Sequence, residues 1–322
     1  MIKAYEGFIN LKYKPKKTDV IVQYRVVPSK GFTFKQAAEM TAGESSIGTW
    51  TEVSTMKPKI QKLAPTVFYT DKKNHRIRIA YPIKLFELGN LPEILSSIGG
   101  NIYGMKSVKA LYWEDINIPK KMLKSFKGPQ FGIKGLRKYL KVYDRPLVGT
   151  IVKPKVGLNE HEHAMVAYDS WLGGCDVVKD DENLTSQTFN EFKKRFMLTI
   201  KMCEKAEKIT REKKVYLVNC TASVKEMEKR IKFVEANGGN YIMLDIITLG
   251  WSALQYAREI TKLPIHAHRA GHAMFDRNPD HGMSMEVIAQ LSRMVGVDTL
   301  HIGTAYGKMT GSKKEVLHIE EE

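Results

Sequence analysis

From residue 147 onward the chain repeats one pattern, a short apolar segment followed by a longer amphipathic one. The short segments LVGTIVKPK, CDVVKDD, VYLVNCTA, YIMLDIITL, PIHAHRA and DTLHIGTA begin near residues 147, 175, 215, 241, 264 and 298. Between them lie EHAMVAYDSWL, VKEMEKRIKFVEA, SALQYAREITK and SMEVIAQLSRMV, whose apolar residues recur at helical spacing. Strands alternating with helices predict a parallel α/β sheet, either doubly wound or closed into a (β/α)8 barrel. No GxGxxG follows the first strand, which weighs against a dinucleotide fold and favours the barrel. Only about six βα units are present, the last helix being GSKKEVLHIEEE, whereas a closed barrel has eight. The expectation is an incomplete barrel whose edge strands and apolar surface are exposed unless another chain covers them.

The first third has a different rhythm. Strand candidates at 20–27, 65–71, 75–82 and 108–119 enclose helix candidates at 32–40 and 84–98, the second with a break at Pro92. The order βαββαβ is that of a ferredoxin-like α+β domain. A connector rich in Lys, Gly and Pro runs from Pro119 to about Arg145. The predicted organisation is therefore a ferredoxin-like domain over 1–125 and a barrel domain over 126–322.

Composition narrows the function classes. Apolar residues make up 43% and charged residues 27% of 322, close to ordinary globular proteins, so global disorder is not expected. Apolar runs such as IMLDII are too short to span a bilayer, and MIKAYEGFINLKYK lacks a signal-peptide core, so a cytoplasmic chain with no membrane partner is expected. Cys175, Cys203 and Cys220 lie far apart without a metal-binding spacing. The net charge of +16 raises a nucleic-acid partner, but the basic residues are spread over amphipathic helices without a recognition motif, and no nucleic acid is expected.

Catalytic groups of a (β/α)8 barrel come from the C-terminal ends of its strands. Those ends carry Lys153 and Lys155, then Lys179 with Asp181 and Glu182, then Asn219 and Thr221, Asp245, His266, His268 and Arg269 with His272 beyond, and finally His301 with Lys308 in a glycine-flanked loop. A lone lysine at a strand end is usually a snorkelling surface residue, and CDVVKDDENLTS by itself reads as a polar turn. Several basic strand ends aimed at one rim, with a carboxylate pair among them, weaken that explanation. Lys179 and Asp181 share a face by strand alternation, and Glu182 joins them where the strand breaks. Clustered carboxylates suit Mg2+, which prefers oxygen ligands. An ammonium would repel that ion, so Lys179 must be neutral or converted to an anionic oxygen ligand. Lys153, Lys155, Arg269 and Lys308 suit phosphates and a developing oxyanion. His268 and His301 suit proton transfer or phosphate contacts, or are satisfied core histidines.

GTIVKPKVGL, GGCDVVKDDEN, HAHRAGHAMFDR and HIGTAYGKMTG, in this order and spacing, resemble the large subunit of ribulose-1,5-bisphosphate carboxylase/oxygenase (RuBisCO), most like its archaeal-type form III. AGESSIGTW and GGNIYGMKSVKALYWEDINIP look like that family's N-terminal segments, and the resemblance covers nearly the whole chain. It implies a ferredoxin-like domain followed by a barrel, and Mg2+-dependent carboxylation, with side oxygenation, of ribulose 1,5-bisphosphate to 3-phosphoglycerate through an enediolate.

The same resemblance implies roles for individual residues. Lys179 takes up activator CO2 as a carbamate, holds Mg2+ with Asp181 and Glu182, and serves as the enolising base. Lys153 assists proton transfer and protonates the product carbanion; His268 belongs to the proton network. Arg269 and His301 hold one phosphate, Lys155 belongs to the substrate site, and Lys308 on a mobile loop orients CO2. Glu44, Thr49, Trp50 and Asn101 complete the site across a dimer interface, so a homodimer or higher oligomer is expected. The chain departs from the family after Lys308, where the glycine-rich phosphate-binding segments of the seventh and eighth strands would follow. Two alternatives stay open: a RuBisCO-like enolase or isomerase, and a truncated non-catalytic chain needing a partner to complete the barrel.

Overall fold

A computed structural model describes residues 4–304, 306 and 312–321. The chain divides into two compact units, Met1–Phe126 with Gly271–Leu291 and Ile302–Glu322, and Lys127–Ala270 with Ser292–His301.

In the first unit, β1 (Val20–Pro28), β2 (Thr66–Asp71), β3 (Arg76–Tyr81) and β4 (Val108–Asn117) pair antiparallel in the order β4-β1-β3-β2. This is the sheet that βαββαβ produces when each helix crosses one face. β1 shows the cause: Val20, Val22, Tyr24 and Val26 are fully buried while their neighbours are not, the two-residue period of a strand with one covered face. Thr33 and Gln36 form a capping box that starts the helix Phe34–Glu44. The expected break at Pro92 is instead a beginning: the helix runs Leu91–Gly99, capped by Asn90, with Pro92 in its first turn, where no amide donor is required. A strand absent from the sequence reading, β10 (Gly282–Met283), lies parallel beside β4. It is two residues long and begins on Gly282 at φ +145°, where a Cβ would collide with the Phe275 carbonyl.

The second unit is a partial parallel β/α barrel. Its strands β5 (Gly149–Ile151), β6 (Val177–Lys179), β7 (Val215–Asn219), β8 (Ile242–Asp245), β9 (Ile265–His268) and β11 (Thr299–Leu300) pair in chain order. Helices Glu160–Leu172, Phe192–Thr210, Val224–Ala236 and Trp251–Ile260 connect successive strands. Among the described residues β5 and β11 are the sheet's two edges.

The region expected to be a connector contains the helix Gly132–Leu140. Gly132 and Gly135 hide it from a propensity reading, yet Leu136 and Leu140, one turn apart, are buried against Val215, Leu217, Tyr241 and Met243. Burying each leucine contributes about 1.5–3 kcal/mol, enough to outweigh the roughly 1 kcal/mol cost of a helical glycine. No helix among the described residues is long and apolar enough to cross a membrane.

Candidate active site

β6 ends at Lys179, and the chain beyond it carries the two carboxylates. Lys179 is only 3% exposed, in the barrel interior, where its Nζ donates to the Asp180 carbonyl at 2.7 Å and lies 3.6 Å from Glu182 Oε2. Burial lowers its pKa, more than Glu182, Asp181 and Asp180 raise it. Asp181 is buried, its Oδ2 accepting from Lys153 Nζ at 2.6 Å and its Oδ1 from the Asn183 side-chain amide at 2.9 Å. Burial opposes the Asp181 charge, yet Lys153 and Asn183 outweigh it and hold the carboxyl below its ordinary value.

Glu182 Oε2 also meets His268 Nε2 at 3.4 Å, and His268 Nδ1 lies 3.8 Å from Asp245 Oδ1. The His301 ring stands edge-on to both His266 and His268, with centroids 4.6 and 5.1 Å away. Burial, reinforced by nearby positive charge, lowers the His268 pKa to about 4 and that of His301 to about 3, so both are neutral near pH 7. Burial raises Asp245 to about 6, and its Oδ1 has no hydrogen-bond partner. Lys179, His266 and His301 share a cavity of about 300 Å³ with apolar side chains that include Leu140, Leu217 and Tyr241.

The unit thus brings Lys153, Lys179, Asp181, Glu182, His268 and His301 together. Lys153 and Lys155 lie past β5 rather than on it, both exposed, because the strand ends at Ile151. Arg269 directly follows β9 and is buried. Lys308 lies outside the described residues. In the first unit, Asn101 donates to Glu44 Oε1 at 3.1 Å and Tyr5 OH donates to Glu44 Oε2. Thr49 is half-buried, and Trp50 is 83% exposed.

Of the groups behind the carboxylates, the sequence singles out Asn219 but not His163, Arg195 or Tyr216. Asp180 faces away from Asp181 and is fully buried. Its Oδ1 accepts from Tyr216 OH at 2.6 Å, and its Oδ2 from Arg195 Nε at 3.2 Å and the Asn219 amide at 2.9 Å. His163 Nε2 is 3.0 Å from Oδ1, in ion-pair contact but off hydrogen-bond geometry. Burial opposes the Asp180 charge, but Arg195 beside it holds the carboxyl far below the usual range. One signal could have found this network: Arg195 occupies the apolar stripe of its helix, in phase with Phe192, Phe196, Thr199 and Cys203. A charge at such a position needs a buried partner.

Among the described residues, no three His, Cys, Asp or Glu side chains form a ready-made metal cluster. Asp181 and Glu182 supply two carboxylates, and the third group beside them is the Lys179 amine. Such a donor set fits a hard divalent cation only when the amine carries an anionic oxygen.

The family model for the ribulose bisphosphate carboxylase large chain, N-terminal domain, matches residues 7–122, and that for its catalytic domain matches 132–321. The chain is 51% identical over 320 residues to the ribulose bisphosphate carboxylase of Methanosarcina mazei, an alignment covering 98% of this chain and 75% of the relative. It is 47% identical to that of Pyrococcus furiosus over 325 residues, covering 99% of this chain and 77% of the relative. The crystal structure of octameric Rubisco from Pyrococcus horikoshii OT3 in complex with sulfate superposes with a TM-score of 0.94 at 44% identity, over 100% of this chain and 78% of that one. Dimeric archaeal Rubisco from Hyperthermus butylicus gives 0.92 at 45%, over 98% of this chain and 74% of that one. The chain belongs to the ribulose bisphosphate carboxylase large-chain family.

Proposed function

We propose that this chain carboxylates, and in a side reaction oxygenates, ribulose 1,5-bisphosphate to 3-phosphoglycerate at the strand ends of its second unit, with Lys179 carbamylated and Mg2+ held by that carbamate, Asp181 and Glu182. The observation that carries this reading is Lys179, a 3%-exposed amine beside two carboxylates, with its pKa lowered by burial. A neutral amine is the form that attacks CO2: its lone pair makes the N–C bond, one C=O π pair moves to oxygen, and a proton leaves nitrogen for solvent. The product is the anionic oxygen that the donor set lacks. When bound, Mg2+ supplies Lewis-acid polarisation of substrate oxygens.

The remaining roles belong to the chain. The carbamate of Lys179 takes the proton whose loss gives the enediolate. Lys153, exposed and already 2.6 Å from Asp181, is placed to return a proton to the product carbanion. Neutral His268, between Glu182 and Asp245, relays protons, while Arg269, His301 and Lys155 bind phosphate and substrate oxygens. Lys308 orients CO2. Glu44 and Asn101, already hydrogen-bonded to each other, act with Thr49 and Trp50 on the site of a second copy, which makes a homodimer the smallest active unit. Relatives described as dimeric and octameric support that assembly. In sequence the proposed domains are 1–125 and 126–322, supported by family matches that stop at 122 and resume at 132, while 271–291 and 302–322 group with the first compact unit.

The test is incorporation of labelled CO2 into phosphoglycerate by the purified chain, with and without preincubation in CO2 and Mg2+. Product that appears faster after preincubation is expected. Consumption of the bisphosphate by isomerisation, without label in the product, would favour the enolase or isomerase alternative.

A further inference from the structure

We infer that Asp180 is a positioning residue: pinned from behind by Arg195, Tyr216 and Asn219, it fixes the geometry in which Lys179, Asp181 and Glu182 converge, and so sets the affinity for Mg2+ and the yield of carbamate. The inference rests on the reading of Lys179, Asp181 and Glu182 given above.

Three observations support it. First, Asp180 lies between two proposed ligands and on the opposite face, so any shift of its carboxylate moves both neighbours. Second, the network extends along the whole loop. Asn219 Nδ2 donates to the carbonyl oxygens of Glu182 and Leu184, each at 3.1 Å, and Arg195 donates to the Thr185 carbonyl at 2.8 Å and to Asn190 Oδ1 at 3.0 Å. The loop that carries the carboxylates is thereby held through its backbone at Glu182, Leu184 and Thr185 and through the side chains of Asp180 and Asn190. Third, stability alone is a poor explanation for such a pair. Asp180 and Arg195 are both fully buried, and the cost of dehydrating two charges offsets most of their attraction. What the arrangement contributes without an offset is direction: three donors, from β7 and the helix Phe192–Thr210, converge on one carboxylate, with the His163 ring of the helix Glu160–Leu172 packed 3.0 Å from it. Asn219, whose backbone amide binds the Asp180 carboxylate while its side chain holds the Glu182 carbonyl, ties this network to a proposed ligand, and outer partners of metal ligands typically govern metal affinity by about 10–100-fold.

The experiment uses the full chain and two variants, Tyr216→Phe, which removes one donor and keeps the ring, and Asp180→Asn. Three quantities are measured: the thermal midpoint, the Mg2+ dissociation constant by calorimetry in CO2-saturated buffer, and the carbamate resonance with 13C-labelled CO2. Tyr216→Phe is expected to keep its midpoint within a few degrees while binding Mg2+ about tenfold more weakly and giving less carbamate at fixed Mg2+. Asp180→Asn is expected to lose about 100-fold; should it fail to fold, Tyr216→Phe decides. A folded Tyr216→Phe protein with unchanged affinity and carbamate signal overturns the inference, as does a lowered midpoint with unchanged affinity. If the unsubstituted chain gives no carbamate signal, the reading of Lys179 falls and this inference with it. A normal signal there, with indifferent variants, overturns the positioning role alone.

Discussion

Asp180 and Asp181 are adjacent in sequence, equally buried, and opposite in surroundings. Asp181 takes its ammonium partner from Lys153, whose side chain is 57% exposed. Asp180 faces the helices, and its guanidinium partner, Arg195, is fully buried. The front carboxylate thus has a partner that water can replace, whereas the back one does not. A metal site needs this division, with exchangeable partners where ligands must bind and fixed ones where geometry must hold.

Substitutions on the two faces should separate the two roles. The largest effect is expected from Lys179→Ala, which removes both the proposed carbamate and a proposed metal ligand: carboxylation should fall by at least about 10³-fold and lose its dependence on CO2 preincubation. Behind the strand, Arg195→Ala strands a buried carboxylate and should cost about 3–5 kcal/mol of stability, read by denaturant unfolding. In front of it, Lys153→Ala should lower carboxylation about 10²-fold while costing less stability than Arg195→Ala, since water can replace the half-exposed ammonium beside Asp181. Equal stability losses for these two substitutions would erase the contrast.

The start of the same strand offers a smaller effect with a defined sign. Asp176 is buried, which would raise its pKa, but Arg145 at 2.6 Å and the Val148 amide outweigh burial and lower it. A depressed carboxylate stabilises the fold above its unfolded pKa, about 3.9, and that contribution disappears as pH falls through the lower folded value. Arg145→Gln should therefore lower the midpoint by a few degrees at pH 7, with the gap closing below about pH 4; a gap constant with pH would contradict this. The smallest stability effect belongs to Trp50→Ala, at an 83%-exposed position: within about 0.5 kcal/mol, yet with a raised KM for the bisphosphate if the residue serves a second copy's site.

Much of this molecule was legible from its sequence. The six strand segments and their helices follow from apolar periodicity, and the ferredoxin-like order from four strands and two helices. The carboxylates at Asp181 and Glu182 stood out because the other strand ends carry basic groups aimed at the same rim, which weakened the reading of CDVVKDDENLTS as a polar turn. What escaped did so for physical reasons. The helix Gly132–Leu140 depends on tertiary burial that its glycines disguise. The two-residue strand β10 is too short for any period to register. Asp180 read as part of a polar cluster because its partners His163, Arg195, Tyr216 and Asn219 come from elements as far as 39 residues away. Only packing brings them together.

Everything proposed for this site depends on Lys179 becoming its anionic ligand. The most direct test is to incubate the chain with CO2 and Mg2+, trap carbamate by alkylation, digest, and map the modified peptide by mass spectrometry. The account predicts one Mg2+-dependent trapped carboxyl group, on the peptide containing Lys179 and absent from Lys179→Ala. A trapped group on another lysine, or none at Lys179 in protein that fixes labelled CO2, would contradict it.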